Sequence, residues 1–177
     1  GAITGGDVTV TKCVPKDLDS LINKLVDCGF DIETGNDWVR VKACSKWGAI
    51  DVDTAPHPGF PTDLQAQFMA LMTQANGTSV ITERIFENRF MHVQELARMG
   101  ANITPKSQVA IVRGERGGLS GAPVMATDLR ASASLILAAL ATHGTTTVNR
   151  IYHLDRGYEK LEQKLQTLGA DIERQFV

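Results

Sequence analysis

Apolar residues recur at helical spacing in three segments of the chain, and each of these segments ends at a glycine. The segments read INKLVDCGFDIE, VQELARMGANIT and EQKLQTLGADIE, with glycines at Gly29, Gly100 and Gly169. A glycine after such a run predicts a helix end, because it adopts the left-handed conformation without a Cβ clash. The Asp-Ile or Asn-Ile after each glycine predicts the start of a strand, which the alternation in DWVRVKA and SQVAIVRG supports.

A second glycine series lies between these helix ends. Gly6, Gly77 and Gly144 are 71 and 67 residues apart, close to the 71 and 69 residues of the first series. A run rich in Thr and Val follows each of them, which predicts a strand after a helix end. Two interleaved series of nearly equal period predict a repeated unit, in the order helix, strand, helix, strands.

The repeat predicts an α/β fold in which βαβαββ units are related by pseudo-threefold symmetry. We expect one domain over residues 1–177, with units at about 1–50, 51–118 and 119–177. The first unit lacks its first helix, so the chain is expected to begin within a unit, and the other two are expected to be complete. Since one unit cannot bury both faces of its helices, the units must pack together, with the helices inside or the sheets inside. Helical crossovers predict parallel strand pairs, and short turns predict antiparallel ones.

Composition narrows the class of protein. The chain has 177 residues, 43% of them hydrophobic, and a net charge of -2 without a basic block, so binding to a nucleic-acid backbone is not expected. Its longest apolar stretch, LILAALA, is far too short for a membrane span, and no signal peptide is visible. Three cysteines without a Cys-x-x-Cys motif indicate reduced thiols. We therefore expect a soluble, cytoplasmic protein.

The dipeptide Thr-Asp occurs at the start of two apolar runs, PTDLQAQF and ATDLRAS. Thr62 is predicted to cap a helix, with Gln65 completing a capping box and Asp63 in the first turn. Thr127 and Asp128 are predicted to take the same two places in the next unit. In one interpretation, the two acids have no role beyond a favourable interaction with the helix dipole. Alternatively, the helix starts converge on an anion site, where a carboxylate can accept a proton from a hydroxyl group.

Two arginines occupy related positions ahead of the second helix of their units. Arg89 lies in RIFENRF and Arg156 in HLDRGYE, whereas the first unit has no arginine there. Each can form a simple surface ion pair, Arg89 with Glu87 and Arg156 with Asp155. Their recurrence near two helix starts instead favours a grip on a phosphate or carboxylate ligand.

Other candidate residues give weaker signals. His57 stands between prolines in a predicted rigid loop, and the four histidines lack the spacing of metal ligands, so neither a metal nor a cofactor is expected. Cys28 lies on the apolar stripe of its helix and is predicted to be a core residue. The glycine-rich stretch GERGGLSGAP lacks Walker spacing and is predicted to be a flexible turn.

Four longer blocks carry a family resemblance that covers essentially the whole chain. TAPHPGFPTDLQAQF, ENRFMHVQELARMGA, MATDLRASASL and YHLDRGYEKLEQKLQTLGADIER closely resemble the UDP-N-acetylglucosamine 1-carboxyvinyltransferase family, also called the UDP-N-acetylglucosamine enolpyruvyl transferases. The related enolpyruvyl transferases of the shikimate pathway share the fold but do not match these blocks.

The resemblance implies a bacterial enzyme of two inside-out barrel domains, each with its helices inside. This chain would form most of the domain that ends the sequence, and the second domain and a short N-terminal segment would be missing. The implied reaction moves the enolpyruvyl group of phosphoenolpyruvate to the 3-hydroxyl of UDP-N-acetylglucosamine and releases phosphate, which begins peptidoglycan synthesis.

The resemblance also implies roles for individual residues. Asp63 is expected to contact the sugar hydroxyl as the general base, and the backbone of Ile85 to line the nucleotide-sugar site. Arg156 is expected to grip phosphoenolpyruvate, and Arg89 to support the same anionic region. Asp128 and Arg130, in TDLRAS, are expected to shape the site.

Some parts of the family pattern do not map onto this chain. The reactive loop cysteine, a lysine and further arginines that contact phosphoenolpyruvate belong to the missing part, and none of the three cysteines here inherits that role. The isolated chain is therefore expected to be inactive. Two alternatives stay open, namely a transferase of the shikimate-pathway type and a binding or assembly module without chemistry.

Overall fold

The computed structural model describes residues 1–175, in which the strands form three separate sheets. The first sheet joins β1 (Val8–Thr11), β3 (Trp38–Val41) and β2 (Ile32–Thr34), with antiparallel pairing throughout. A 3-10 turn, Pro15–Leu18, and helix α1, Asp19–Cys28, connect β1 to β2. The first unit therefore runs strand, helix, strand, strand.

The second unit is complete and has the order βαβαββ. Its elements are β4 (Val52–Asp53), a 3-10 turn (Thr62–Leu64), α2 (Gln65–Met72), β5 (Gly77–Thr82), α3 (His92–Arg98), β6 (Asn102–Lys106) and β7 (Val109–Gly114). The strand order in its sheet is β4-β5-β7-β6. β4 and β5 are parallel across the α2 crossover, whereas β6 and β7 form an antiparallel hairpin, as the sequence predicted.

The third unit contains β8 (Pro123–Met125), α4 (Leu129–Ala139), β9 (Thr147–Asn149), α5 (Tyr152–Asp155) and α6 (Leu161–Thr167). β8 and β9 pair in parallel. The prediction of a strand after Gly169 is wrong for residues 171–175, which have no regular secondary structure. Asp-Ile after a helix end becomes a strand only where a neighbouring strand satisfies its backbone groups.

Helices α2 and α4 form the centre of the molecule and pack against each other. All of α2 except Gln67 is buried, because the helix is apolar on every side rather than on one stripe. Leu135 and Met69, one from each helix, have no exposed surface. Of the two arrangements left open by the sequence, the one with helices inside is therefore the correct one.

The glycines that were predicted to end helices do so. Gly29, Gly100 and Gly169 have φ angles of 102°, 94° and 90°, in the left-handed region that a residue with a Cβ rarely enters. The backbone N–H of Gly29 donates to the carbonyls of Leu25 and Val26, which satisfies the last turn of α1. Cys28 is buried, as its place on the apolar stripe predicted.

Candidate functional site

Asp63 lies in the 3-10 turn that leads into α2, and it is exposed at the surface. Its side chain is 59% accessible to solvent. The predicted capping box of Thr62 and Gln65 is wrong, because the cap position falls on Pro61, which makes no side-chain cap. Thr62 instead donates its hydroxyl proton to Glu83 Oε2 at 2.8 Å, so the hydroxyl is engaged away from the helix. Asp63 does not cap this helix either.

The second Thr-Asp pair begins its helix differently. Asp128, not Thr127 as predicted, is the N-cap of α4, and Asp128 Oδ1 accepts hydrogen bonds from the backbone N–H groups of Arg130 and Ala131 at 2.8 and 2.9 Å. Thr127 Oγ1 is buried and has no hydrogen-bond partner among residues 1–175. The two dipeptides thus occupy related places but are not equivalent, since only the second aspartate caps its helix.

Arg130 connects the two helix starts. Its Nε donates to Asp63 Oδ1 at 2.8 Å, and this hydrogen bond raises the pKa of the Arg130 guanidinium. A second guanidinium lies close by, with Arg89 Nη2 at 3.7 Å from the same carboxylate oxygen. One carboxylate and two guanidinium groups therefore meet at the converging ends of α2 and α4. The group carries a net positive charge, which suits an anionic ligand.

Arg89 is the more enclosed of these two cations, with 21% of its side chain exposed. It lies 4.5 Å from the ring centroid of Phe86 and donates from Nη1 to Thr62 Oγ1 at 3.2 Å. The simple alternative of an ion pair with Glu87 is wrong, because Arg89 contacts the residues around Asp63 instead. A guanidinium held on an aromatic ring and a hydroxyl is fixed in orientation before any ligand arrives.

Arg156 lies one residue beyond α5, in the segment that precedes α6, and it is exposed. Asp155 pairs with Arg174 at 2.7 and 2.9 Å, so the alternative of a surface pair between Asp155 and Arg156 is wrong. Among the described residues Arg156 makes no side-chain hydrogen bond or ion pair. Its position is nevertheless close to α4, because a Cβ added to Gly157 would lie only 2.8 Å from Leu129 Cδ2. Arg156 thus lies near the start of α4, and no ion pair joins it to Asp63 within the described part of the chain.

Ile85 belongs to the turn between β5 and α3, and 37% of its surface is exposed. Its backbone N–H donates to Glu83 Oε1 at 2.9 Å, as does the N–H of Phe86 at 3.2 Å. No sequence pattern singles out Glu83, since an acid after an apolar strand is usually a surface residue. In the structure Glu83 is only 1% exposed, and its carboxylate organises this turn.

His92 is a second buried polar residue beside the site. It begins α3, is 2% exposed, and its Nε2 has no hydrogen-bond partner within residues 1–175. Burial lowers the pKa of His92 to about 4, while the nearby charge of Asp128 raises it and that of Arg89 lowers it. The imidazole is therefore neutral at ordinary pH, and in the described part of the chain the cationic charge next to Asp63 comes from Arg89 and Arg130.

No group of three or more His, Cys, Asp or Glu side chains within residues 1–175 is arranged to hold a metal ion. None of the helices in that range has both the length and the apolar character that crossing a bilayer requires.

Comparison with known proteins identifies the protein family to which the chain belongs. The sequence model of the family described as EPSP synthase (3-phosphoshikimate 1-carboxyvinyltransferase) matches residues 1–165. The chain therefore belongs to this family. A solved structure of the enolpyruvyl transferase NikO from Streptomyces tendae matches 97% of the chain with a TM-score of 0.88 and 31% identity, and 42% of the NikO chain is covered. An EPSP synthase from Acinetobacter baumannii, at 18% identity and a TM-score of 0.68 over 98% of this chain and 43% of its own, supports the fold alone.

Closer relatives are found among the UDP-N-acetylglucosamine 1-carboxyvinyltransferases. The protein of that name from Bdellovibrio bacteriovorus is 69% identical over 174 residues, which are 98% of this chain and 42% of the relative. The one from Myxococcus xanthus is 60% identical over 98% of this chain and 41% of its own length. The family resemblance and the enolpyruvyl transferase fold are thus confirmed. The chain spans about two fifths of the length of these relatives.

Proposed function

We propose that the complete protein containing this chain transfers the enolpyruvyl group of phosphoenolpyruvate to the 3-hydroxyl of UDP-N-acetylglucosamine. The observation that carries this proposal is the 69% identity to a UDP-N-acetylglucosamine 1-carboxyvinyltransferase over 98% of the chain. The cluster of Asp63, Arg89 and Arg130 supports it, because both substrates are anions and one of them must lose a hydroxyl proton.

The reaction is an addition followed by an elimination at C2 of phosphoenolpyruvate. In the addition the sugar oxygen bonds to C2 and gives its hydroxyl proton to a base, while a general acid gives a proton to C3. In the elimination C3 returns a proton to a base and the C2–O bond to phosphate breaks, so the vinyl group is restored and phosphate leaves. We assign Asp63 as the general base for the sugar hydroxyl. It is exposed enough to reach a substrate, and Arg130 already fixes one of its oxygens at 2.8 Å.

The arginines stabilise negative charge in this scheme. Arg89 and Arg156 are assigned to the phosphate and carboxylate of phosphoenolpyruvate, where a guanidinium can bind two oxygens at once. Asp128 holds the start of α4 through its two backbone hydrogen bonds and so orients Arg130 toward Asp63. The backbone of Ile85 is assigned to the nucleotide-sugar site.

The second domain of the same protein would supply the remaining contacts to phosphoenolpyruvate, since the cluster in this chain is open to solvent. The reaction would commit UDP-N-acetylglucosamine to peptidoglycan and so serve cell-wall growth, cell shape and division in bacteria. We assign it to the cytoplasm, because neither charged substrate crosses a lipid bilayer unaided. The proposed reaction involves no cofactor, and the proposed function involves no nucleic-acid or membrane partner.

A second candidate has one specific observation in its favour. The family model that matches residues 1–165 carries the description 3-phosphoshikimate 1-carboxyvinyltransferase. Titration calorimetry on the complete protein separates the two functions, with UDP-N-acetylglucosamine and shikimate 3-phosphate as the alternative ligands. Binding of the nucleotide sugar, followed by phosphate release when phosphoenolpyruvate is added, is the expected result. Binding of shikimate 3-phosphate alone would establish the second candidate, and binding of neither would favour a module without chemistry.

A further inference from the structure

Glu83 is a buried carboxylate that binds four hydrogen-bond donors. It follows β5 and is 1% exposed. Its Oε1 accepts from Thr54 Oγ1 at 2.8 Å and from the backbone N–H groups of Ile85 and Phe86 at 2.9 and 3.2 Å. Its Oε2 accepts from Thr62 Oγ1 at 2.8 Å. The side chain thus joins the residue that follows β4, the turn before α2 and the turn before α3.

Burial of a carboxylate is costly unless its oxygens are satisfied. A carboxylate without a proton only accepts hydrogen bonds, which matches the four donors here without leaving one unpaired. An amide has one oxygen and one NH2 group, so with its oxygen kept on the three donors at Oε1 its NH2 would face Thr62, and the hydrogen bond with Thr62 would have to reverse. Glu83 is therefore not interchangeable with the neutral residue of nearly the same shape.

The proton of Thr62 sets the direction of the next contact. A hydroxyl has one proton to donate, and that of Thr62 points to Glu83. The oxygen of Thr62 is then available as an acceptor, and Arg89 Nη1 donates to it at 3.2 Å. The chain of contacts runs from the buried acid through the hydroxyl to the guanidinium. Thr62 also directly precedes Asp63, so the same anchor holds the backbone that carries this acid.

We propose that Glu83 is a positioning residue for the reaction. It fixes Thr62 as an acceptor for Arg89 and holds the turn that carries Ile85, so that Asp63 and Arg89 face the substrates together. The inference rests on the proposed function. It extends that function from residues that touch substrate to the buried acid that orients them.

The test uses the complete protein and compares turnover of four variants. Glu83→Gln and Thr62→Val each interrupt the chain of contacts from Glu83 through Thr62 to Arg89. We expect kcat to fall about 100-fold in each variant, the loss that misplacement by about 1 Å can cause. Thr62→Ser keeps the hydroxyl and should retain nearly full turnover. Glu87→Gln is the matched control, an exposed acid in the same turn, and should leave kcat unchanged.

A double variant separates positioning from general destabilisation. If Glu83 acts through Thr62, the combination of Glu83→Gln and Thr62→Val should lose no more than the worse single variant. Two losses that multiply, or a Glu83→Gln variant with unchanged kcat, would overturn the inference. Folding is checked by circular dichroism, and the Thr62 pair still decides the matter if Glu83→Gln does not fold. A wild-type protein that releases no phosphate would remove the proposed function itself, and the positioning role with it.

Discussion

Arg130 donates a 2.8 Å hydrogen bond to Asp63 although 67 residues separate them in the chain. Asp63 is the second residue of the first Thr-Asp pair, and Arg130 lies two residues after the second pair, so the contact connects the starts of two repeated helices. It also leaves Asp63 between two cations, because Arg89 lies 3.7 Å from the same oxygen.

Substitution of Arg130 should affect activity more than stability. Both partners are substantially exposed, at 38% and 59% of their side chains, so the pair contributes less than about 1 kcal/mol to the free energy of unfolding. Arg130→Lys in the complete protein keeps the charge but loses the planar fork, and we expect kcat/KM to fall about tenfold. Arg40→Lys, which alters the ion pair with Asp7, is the control and should leave kcat/KM unchanged. Equal effects of the two substitutions would show that the Arg130 contact has no special role.

Substitution of Asp63 by asparagine tests its assignment as the base. The amide keeps the size and an oxygen that can accept from Arg130, but it cannot take up a proton. The single-turnover rate of the complete protein should therefore fall by about 10²–10⁴-fold, while the affinity for the nucleotide sugar changes little. Asp7→Asn, in a matched pair with Arg40, serves as the control. An unchanged single-turnover rate would remove Asp63 from the role of base.

The chain alone should not turn over. Asp63 and Arg130 are open to solvent here, and an open site neither excludes water nor surrounds phosphoenolpyruvate with cations. We expect no phosphate release when the 177-residue chain is mixed with both substrates, while the complete protein is active under the same conditions. Phosphate release by the chain alone at a rate near that of the complete protein would contradict this.

Much of the fold could be predicted because its signals are local. The left-handed glycines end helices wherever they stand, and the alternating strands follow from period-two patterns. The proximity of the two Thr-Asp pairs could be predicted as well, since repeated units place equivalent residues around a common centre. The pseudo-threefold symmetry itself stays a prediction.

The predictions that were wrong concern side chains whose actual partners are distant in sequence. Thr62 was expected to cap its helix, but Glu83 competes for its proton from across the sheet. The alternative pairing of Asp155 with its neighbour Arg156 is also wrong, because Arg174 binds Asp155 with two hydrogen bonds. A sequence pattern cannot rank such competing partners, because the choice is made by tertiary packing.

The central helices should dominate stability. Leu135 of α4 is fully buried, whereas Leu168 at the end of α6 is 64% exposed. Leu135→Ala should lower the free energy of unfolding by about 2–5 kcal/mol, because it leaves a cavity between α4 and α2. Leu168→Ala removes the same atoms from a side chain that is exposed to water. It should change the free energy of unfolding by less than about 0.5 kcal/mol. Urea denaturation of the chain measures both. Similar losses in the two variants would mean that α4 is not part of the core.

His92 should make the stability of the chain depend on pH. Burial lowers its pKa to about 4 in the folded state, against 6.5 for the exposed side chain. Between these values the unfolded chain binds a proton that the folded chain does not, so stability falls as the pH falls from about 6.5 to about 4. The full loss from this residue is about 3 kcal/mol, and above pH 6.5 it contributes no slope.

The His92 contribution can be isolated by a pair of variants. His92→Phe removes the titrating group, so its free energy of unfolding should vary less between pH 4 and pH 6.5 than that of the wild type. His143→Phe is the matched control, because His143 is exposed and its loss should leave the pH dependence unchanged. Urea denaturation at a series of pH values gives the slopes directly. If His92→Phe retained the wild-type slope, the acid sensitivity would have to come from the carboxylates held by arginines, such as Asp7 with Arg40, whose hydrogen bond lowers the pKa of that acid.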